Sequence, residues 1–526
     1  MTTKRRALIS VSDKTELMFF AKELANLGIE ILSTGGTLKF LKDGGVCATP
    51  VDEVTGFPEI LDGRVKTLHP MIHGGLLFRR DKKSHVKEAA AHGIRPIDFV
   101  VVNLYPFEKV TSDSKVPFET AVENIDIGGP SMLRSAAKNF ESVTVVCDPS
   151  DYARVLADLK AHDGHVSLPL RRELAEKVFQ RTAVYDQAIA DFFRSRSGSK
   201  EEAWSKDKPL PEKVLMSYEK VQDLRYGENP HQRAAFYVPA WKKQLPAFRQ
   251  LHGKELSFNN FLDIEGALDV IREFEEPAAC VVKHSNPCGV AEGRCLSDTL
   301  SNAIECDAMS AFGGILGINR PCDVKTAQMA LDKLHFFEVF VAPSYEPAAL
   351  RLLKERKNLR LIETGPLTVP ASGDLRFLAS GLLLQDRDLP VRFGSGLRHQ
   401  LQVVTKAKLS ASDLDDLLFA FKCVKVVKSN AIVIATGRQT VGIGAGQMSR
   451  VDSVEIACRK AGYRTDGATL ASDAFFPMPD AIEVAHDYKI RAIIQPGGSI
   501  RDAEIIAACD RFGIAMAFTG ERHFRH

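Results

Sequence analysis

Nowhere does this chain run through about 18 consecutive apolar residues, the length a bilayer-spanning helix needs, so no membrane partner is expected. The start, Met1-Thr2-Thr3-Lys4-Arg5-Arg6-Ala7, is basic but lacks an apolar h-region, which argues against secretion. The ten cysteines include no C-x-x-C pair, and several, such as Cys147 and Cys280, sit in apolar runs. Reduced, buried thiols and a cytoplasmic location are the simplest reading. A charge of one sign is also missing: 69 Lys and Arg against 67 Asp and Glu leave a net +2. That excludes a nucleic-acid-coating surface and a charged disordered tail, so any anionic ligand must be met by local groups.

What is present is size and alternation. At 526 residues, 45% of them hydrophobic, the chain exceeds what one core usually supports, and roughly two to four domains are expected. Ala7 to Val11 reads as a strand, Leu17, Phe20, Ala21, Leu24 and Leu27 mark a helix face that Gly28 closes, and Ile29 to Leu32 reads as the next strand. Ile97 to Val102 and Val143 to Val146 continue a doubly wound α/β pattern. Around Ser195 to Glu212 apolar periodicity stops, and the expected division is a domain over 1–195, a linker over 196–212 and a second part over 213–526. That part again mixes strands (Ala278 to Val282, Ala431 to Ala435, Ala492 to Ile494, Ile514 to Phe518) with helices, and its length predicts two subdomains without a convincing repeat.

Ligands of open α/β sheets sit beyond the carboxyl ends of strands, and Ser10-Val11-Ser12-Asp13-Lys14 and Ser33-Thr34-Gly35-Gly36-Thr37 fall at such ends. Hydroxyls, glycines, free helix N–H groups and a lysine make a phosphate cradle, although Ser12 alone reads more simply as an N-cap. Gly63-Arg64-Val65-Lys66-Thr67-Leu68-His69-Pro70 packs cations, a hydroxyl and an imidazole into a segment too turn-rich for a stable helix. Asn103-Leu104-Tyr105-Pro106 ends a strand, and Asp126-Ile127-Gly128-Gly129 precedes a helix carrying Arg134 and Lys138, whose bland reading is a solvated basic face. His69 and His73 suggest a metal pair only on a helix, which Pro70 and Gly74 oppose, and no third ligand is evident.

The second part is richest at Val281-Val282-Lys283-His284-Ser285-Asn286-Pro287-Cys288-Gly289, where an apolar strand opens into an ammonium and an imidazole held by turn residues. An imidazole is a base near neutral pH, and a neighbouring ammonium offers charge to a developing oxyanion. Without other residues the pair reads equally well as a solvated loop.

These motifs, in this order, resemble the bifunctional purine-biosynthesis family that joins phosphoribosylaminoimidazolecarboxamide (AICAR) formyltransferase to inosine monophosphate (IMP) cyclohydrolase, and the resemblance covers essentially the whole chain. It implies transfer of a formyl group from 10-formyltetrahydrofolate to AICAR, giving the formylated ribotide FAICAR, and closure of FAICAR to IMP with loss of water, with no catalytic metal. It also implies a methylglyoxal-synthase-like first domain, a transformylase region resembling the cytidine-deaminase fold, and a homodimer with the transferase site across the subunit interface. Carried over by position, the cyclohydrolase nucleotide would meet Ser12, Asp13, Lys14, Ser33, Thr34, Gly35, Gly36, Thr37, Arg64, Val65, Thr67, Asn103, Leu104, Tyr105, Asp126 and Ile127, with Lys66 near the reacting ring and Lys138 transferring a proton. The transferase would use Lys283 and His284, hold AICAR with Arg225, Tyr226, Gly313, Glu338, Asn430 and Arg450, and hold folate with Val451, Phe475, Asp480, Ser499, Ile500 and Arg522. Glu338 stands where some relatives carry aspartate, and Pro479 where some carry arginine.

Two rival chemistries fail on spacing. A zinc deaminase needs H-x-E and P-C-x-x-C, but His284 is followed by Ser285 and Asn286, and Cys288 by Gly289-Val290-Ala291. Gly442, Gly444 and Gly446 do not make G-x-G-x-x-G and read as close backbone packing. A non-catalytic purine-nucleotide sensor would have no use for bases and oxyanion donors in both halves.

Overall fold

The structure is a computed structural model describing residues 4–111, 116–196, 209–216, 218–239, 248–368, 373–390 and 401–526. The chain forms two compact units, Met1–Ser205 and Lys206–His526. Of the expected linker, 197–208 lies outside the described residues.

The first unit is built on five parallel strands in the spatial order Ala48–Pro50, Glu30–Ser33, Arg6–Val11, Phe99–Asn103, Thr144–Val146. Their Val, Ile and Leu residues are buried on both faces, as a helix-covered parallel sheet requires. The order reverses beside Arg6–Val11, the switch point at which an open sheet leaves a crevice. Two helix boundaries differ from expectation. Gly35–Thr37 are the first turn of the helix Gly35–Asp43, not a loop before it. Pro70 opens a real helix, Pro70–Leu77: a proline at the first position loses no intrahelical bond, the His69 side chain accepts from the Met71 N–H, and Gly75 lets the helix lie against the Arg95 carbonyl, where a methyl would collide.

The second unit contains a sheet of twelve strands whose order repeats. The hairpin of Ala278–Lys283 and Asn286–Glu292 is followed outward by parallel strands Ile315–Ile318, Val339–Ala342 and Arg360–Glu363 and an antiparallel edge, Arg249–His252. The hairpin of Ile432–Thr436 and Gln439–Gly444 is followed by Thr469–Ser472, Ala492–Gln495 and Ala515–Phe518 and an antiparallel edge, Gln402–Val403. The halves meet antiparallel at Ala291 and Gln439. One face is covered by the helices Phe258–Ile271 and Ala411–Lys425, one from each half. On the other face glycines in both hairpins let a helix touch the sheet: a methyl on Gly289 would strike the Ala303 carbonyl, one on Gly442 the Ala457 carbonyl and one on Gly444 the Ser453 carbonyl. The duplication escapes the sequence because little besides backbone geometry, these glycines and a few helix residues repeats.

The expected turn Ser285 to Gly289 is shorter in fact. Only His284 and Ser285 turn, since Lys283 already pairs with Asn286, and Pro287 is accommodated where the register shifts between Pro287 and Gly289. All ten cysteines are free, with Cys147 and Cys280 buried. No helix among the described residues is long and apolar enough to cross a membrane.

Candidate active sites

In the first unit Asn103, at the end of its strand, organises the ligand edge. Its Oδ1 accepts from Ser12 N at 2.6 Å, Ser12 Oγ at 2.8 Å and Asp13 N at 2.9 Å, and its Nδ2 donates to Asp13 O at 3.0 Å. Ser12 is therefore a cross-link and not an N-cap, because the following helix begins only at Leu17. Several expected contacts turn out to build the cradle. Ser33 Oγ donates to Ile9 O at 2.7 Å, Thr37 Oγ1 bonds Val11 N and O at 3.0 Å each, and Asp13 caps its own turn through Thr15 at 2.7 and 2.9 Å.

A cleft of about 280 Å³ opens beside this edge, walled by Ser33, Thr34, Gly35, Val65 and Lys66 together with Phe57, Glu59 and His69. Lys66 Nζ lies 3.5 Å from Glu59 Oε1, and a methyl on Gly35 would sit 3.3 Å from it, so the ammonium stands over the glycine backbone. Glu59, not foreseen from sequence, pairs with it across the cleft. Arg64 pairs with Glu123 at the surface. Asp126 is held by the Gly129 N–H at 2.7 Å; burial pushes its carboxyl above the usual range, against backbone N–H bonds from Gly129 and Tyr105 and the charge of Lys66.

A carboxyl whose folded-state pKa is raised contributes stability that is fully present below the unfolded pKa and lost as pH rises through the folded value. Asp126→Asn is therefore expected to raise the thermal midpoint of this unit at neutral pH, with the gain shrinking toward acid. A midpoint at neutral pH no higher than that of the wild type would show that the carboxylate's hydrogen bonds outweigh its burial.

Lys138 is not brought to this cleft within one chain. It is the exposed last residue of the helix Gly128–Lys138, about 15 Å along the axis from Gly128 at 1.5 Å per residue. The pairing of Phe99 with Thr144 places the strand that follows beside the amino ends of the sheet, away from Asn103. Spacing on a helix sets the face a residue shares, not the end of the sheet it reaches. His73 bonds Ser135 Oγ at 3.1 Å through Nδ1, and among the described residues no three His, Cys, Asp or Glu side chains converge.

In the second unit one edge of the twelve-stranded sheet collects the expected groups. Antiparallel pairing of Val282 with Ile315 and of Ile432 with Ser472 puts the carboxyl ends of Ala278–Lys283 and Thr469–Ser472 on the same edge as Gly313 and Asn430. Lys283 Nζ donates to Phe312 O at 2.8 Å, which ties it to Gly313, and Asn286 Oδ1 accepts from Lys428 N at 3.0 Å. Lys283, His284, Asn286 and Ser310 line a cleft of about 220 Å³. Arg225 stacks 5.6 Å over the Tyr226 ring; Tyr226 is in electrostatic reach of Arg360, whose Nη1 is 3.5 Å from Glu338 Oε2. Glu338 also accepts from Asn260 Nδ2 at 3.1 Å. Asn260 and Arg360 escaped the sequence reading; the capping box from Ser257 to Asn260 marks a helix start but not a site.

Arg450 is buried where direct contact with the nucleotide was expected. Its Nη1 donates to Ser472 Oγ at 2.7 Å and Asp473 Oδ1 at 2.6 Å, and its Nη2 to Asn430 Oδ1 at 2.8 Å. It orients Asn430. Val451 follows it on the same helix, and the other expected folate residues follow three parallel strands: Phe475 and Asp480 after Thr469–Ser472, Ser499 and Ile500 after Ala492–Gln495, Arg522 after Ala515–Phe518.

A family model described as "AICARFT/IMPCHase bienzyme" matches residues 136–460, and a model of the "MGS-like domain" matches 16–131. The chain belongs to the AICARFT/IMPCHase bienzyme family. "Bifunctional purine biosynthesis protein PurH" of Oceanobacillus iheyensis is 51% identical over 525 residues, covering 99% of this chain and 100% of the relative. The proteins of the same name from Bacillus subtilis and Magnetococcus marinus are 50% and 51% identical, each covering 100% of both chains. As a bienzyme of this family the chain is an AICAR formyltransferase and an IMP cyclohydrolase of purine biosynthesis, with an MGS-like domain at its amino-terminal end.

Proposed function

We propose that the two activities are divided between the two units, each at the strand-end edge that carries its charged groups. In the first, the Asn103-braced loop and the Gly35 turn hold FAICAR while its carboxamide nitrogen attacks its own formyl carbon. The attack is intramolecular, so positioning contributes most, with the Lys66 ammonium facing the developing oxyanion and Asp126 orienting the amide. Lys138 joins only if a second copy of the chain supplies it.

In the second unit AICAR lies along Arg225, Tyr226, Glu338 and Asn430, and 10-formyltetrahydrofolate along Val451, Phe475, Asp480, Ser499, Ile500 and Arg522. The aromatic amine is a weak nucleophile; His284 takes its proton as it attacks the formyl carbon, Lys283 stabilises the tetrahedral oxyanion, and the bond to the folate nitrogen then breaks as that nitrogen is protonated. The observation that carries this reading is the meeting of Lys283, His284, Gly313 and Asn430 on one sheet edge. The repeated strand order supports two cytidine-deaminase-like halves. A homodimer in the cytoplasm is what the family resemblance implies, and the exposed Ile500 side chain is free to meet the folate.

The division is tested by expressing residues 1–205 alone. The fragment is expected to fold and to close FAICAR to IMP, and Lys66→Ala in it to lose that activity. A folded fragment with no closure above the spontaneous rate would refute the division.

A further inference from the structure

The hairpin carrying Lys283 and His284 closes through two residues that both lie in the left-handed region, φ being 57° at His284 and 57° at Ser285. A type I′ turn of this kind favours Asn-Gly or Gly-Gly, because positive φ crowds a Cβ against the backbone. Such a conformation at two side-chain-bearing residues persists only where the surroundings over-determine it.

The other half of the sheet shows what does so. Its hairpin turns at Gly437 and Arg438, with φ of 59° and 55°, and Asp416 on the helix Ala411–Lys425 accepts from both turn N–H groups, at 2.9 and 2.8 Å. Asp263, on the corresponding helix Phe258–Ile271, accepts from Ser285 N at 2.6 Å. The aspartate is therefore duplicated, although Asp263 accepts from one turn N–H where Asp416 accepts from two; the turn at the site carries histidine and serine where the other begins with glycine, so there the aspartate must hold strain that the other turn partly avoids. Asp263 is pushed up by burial and drawn back by Ser285 and by the charge of His284, as a carboxylate packed against that turn should be. The same helix supplies Asn260 to Glu338, which couples the turn to the AICAR subsite.

We propose that Asp263 is a positioning residue for formyl transfer: its carboxylate holds the His284-Ser285 turn in the left-handed form that keeps the imidazole at the cleft. This rests on His284 acting as the base. In the full-length protein Asp263→Ala is expected to lower kcat for formyl transfer about 100-fold, as a displacement of about 1 Å can, with KM for AICAR nearly unchanged and ring closure unaffected. Asp263→Asn, whose Oδ1 can still accept from Ser285, should lose far less. Adding Ser285→Gly to Asp263→Ala should restore most of the rate, because glycine takes positive φ without a Cβ clash. A merely structural role for Asp263 would not be repaired by that second change. Hydrogen exchange at the Ser285 amide, faster in Asp263→Ala, reports the clamp whichever group is the base. Wild-type kcat in folded Asp263→Ala, no recovery in the double variant, or unchanged exchange at Ser285 would each overturn the proposal.

Discussion

His284→Ala is expected to cut formyl transfer by about 100- to 10,000-fold, the usual cost of losing a general base, while leaving closure of added FAICAR intact. The reason is chemical: only the weakly nucleophilic amine needs a base, whereas ring closure uses an already installed formyl group and groups of the other unit. Geometry adds a sharper variant. Since φ is 57° at position 284, a region in which histidine and asparagine are enriched and alanine is not, alanine would combine lost chemistry with a less tolerated turn residue. His284→Asn avoids this, because asparagine tolerates the left-handed region. It should melt no lower than the wild type, still bind AICAR, and still fail to transfer. Near-wild-type transfer by either folded variant would remove His284 from the role of base; Lys283→Ala, which takes away the oxyanion's ammonium, is expected to behave similarly.

Arg450→Met is expected to destabilise the second unit by about 3–5 kcal/mol, the cost of leaving a buried charge without its partner. The side chains of Arg450 and Asp473 are 5% and 0% exposed, and Asp473 is also bonded by Ser429 and by Ala431 N, so its carboxylate cannot turn to water. Formyl transfer should be lost as well, because Asn430 loses the guanidinium that orients it, while cyclisation persists. Adding Asp473→Asn should return part of the stability by neutralising the orphan. Denaturant unfolding of the single and double variants measures this; a loss below about 1 kcal/mol in Arg450→Met would place the pair in the class of weak, solvent-screened bridges.

The sequence alone determined what local chemistry can determine. Apolar β-prone runs ending in glycine, serine and lysine marked the strands Arg6–Val11, Glu30–Ser33 and Ala278–Lys283 and the edges where ligands could be held, since the periods of burial and the residues of turns are short-range properties. The motif order marked the family. Tertiary structure decided what depends on direction and on partners distant in the chain. It carried Lys138 to the end of the sheet opposite Lys66 of the same chain, because a crossover helix runs back along its strands. It buried Arg450 against Asp473 and made it a support, because a cation's role follows from what surrounds it and not from its motif. It also revealed the duplication whose two turns, clamped by Asp263 and Asp416, share a backbone geometry although the turn residues themselves differ, since a hydrogen-bonded hairpin fixes φ and spacing and not side-chain identity.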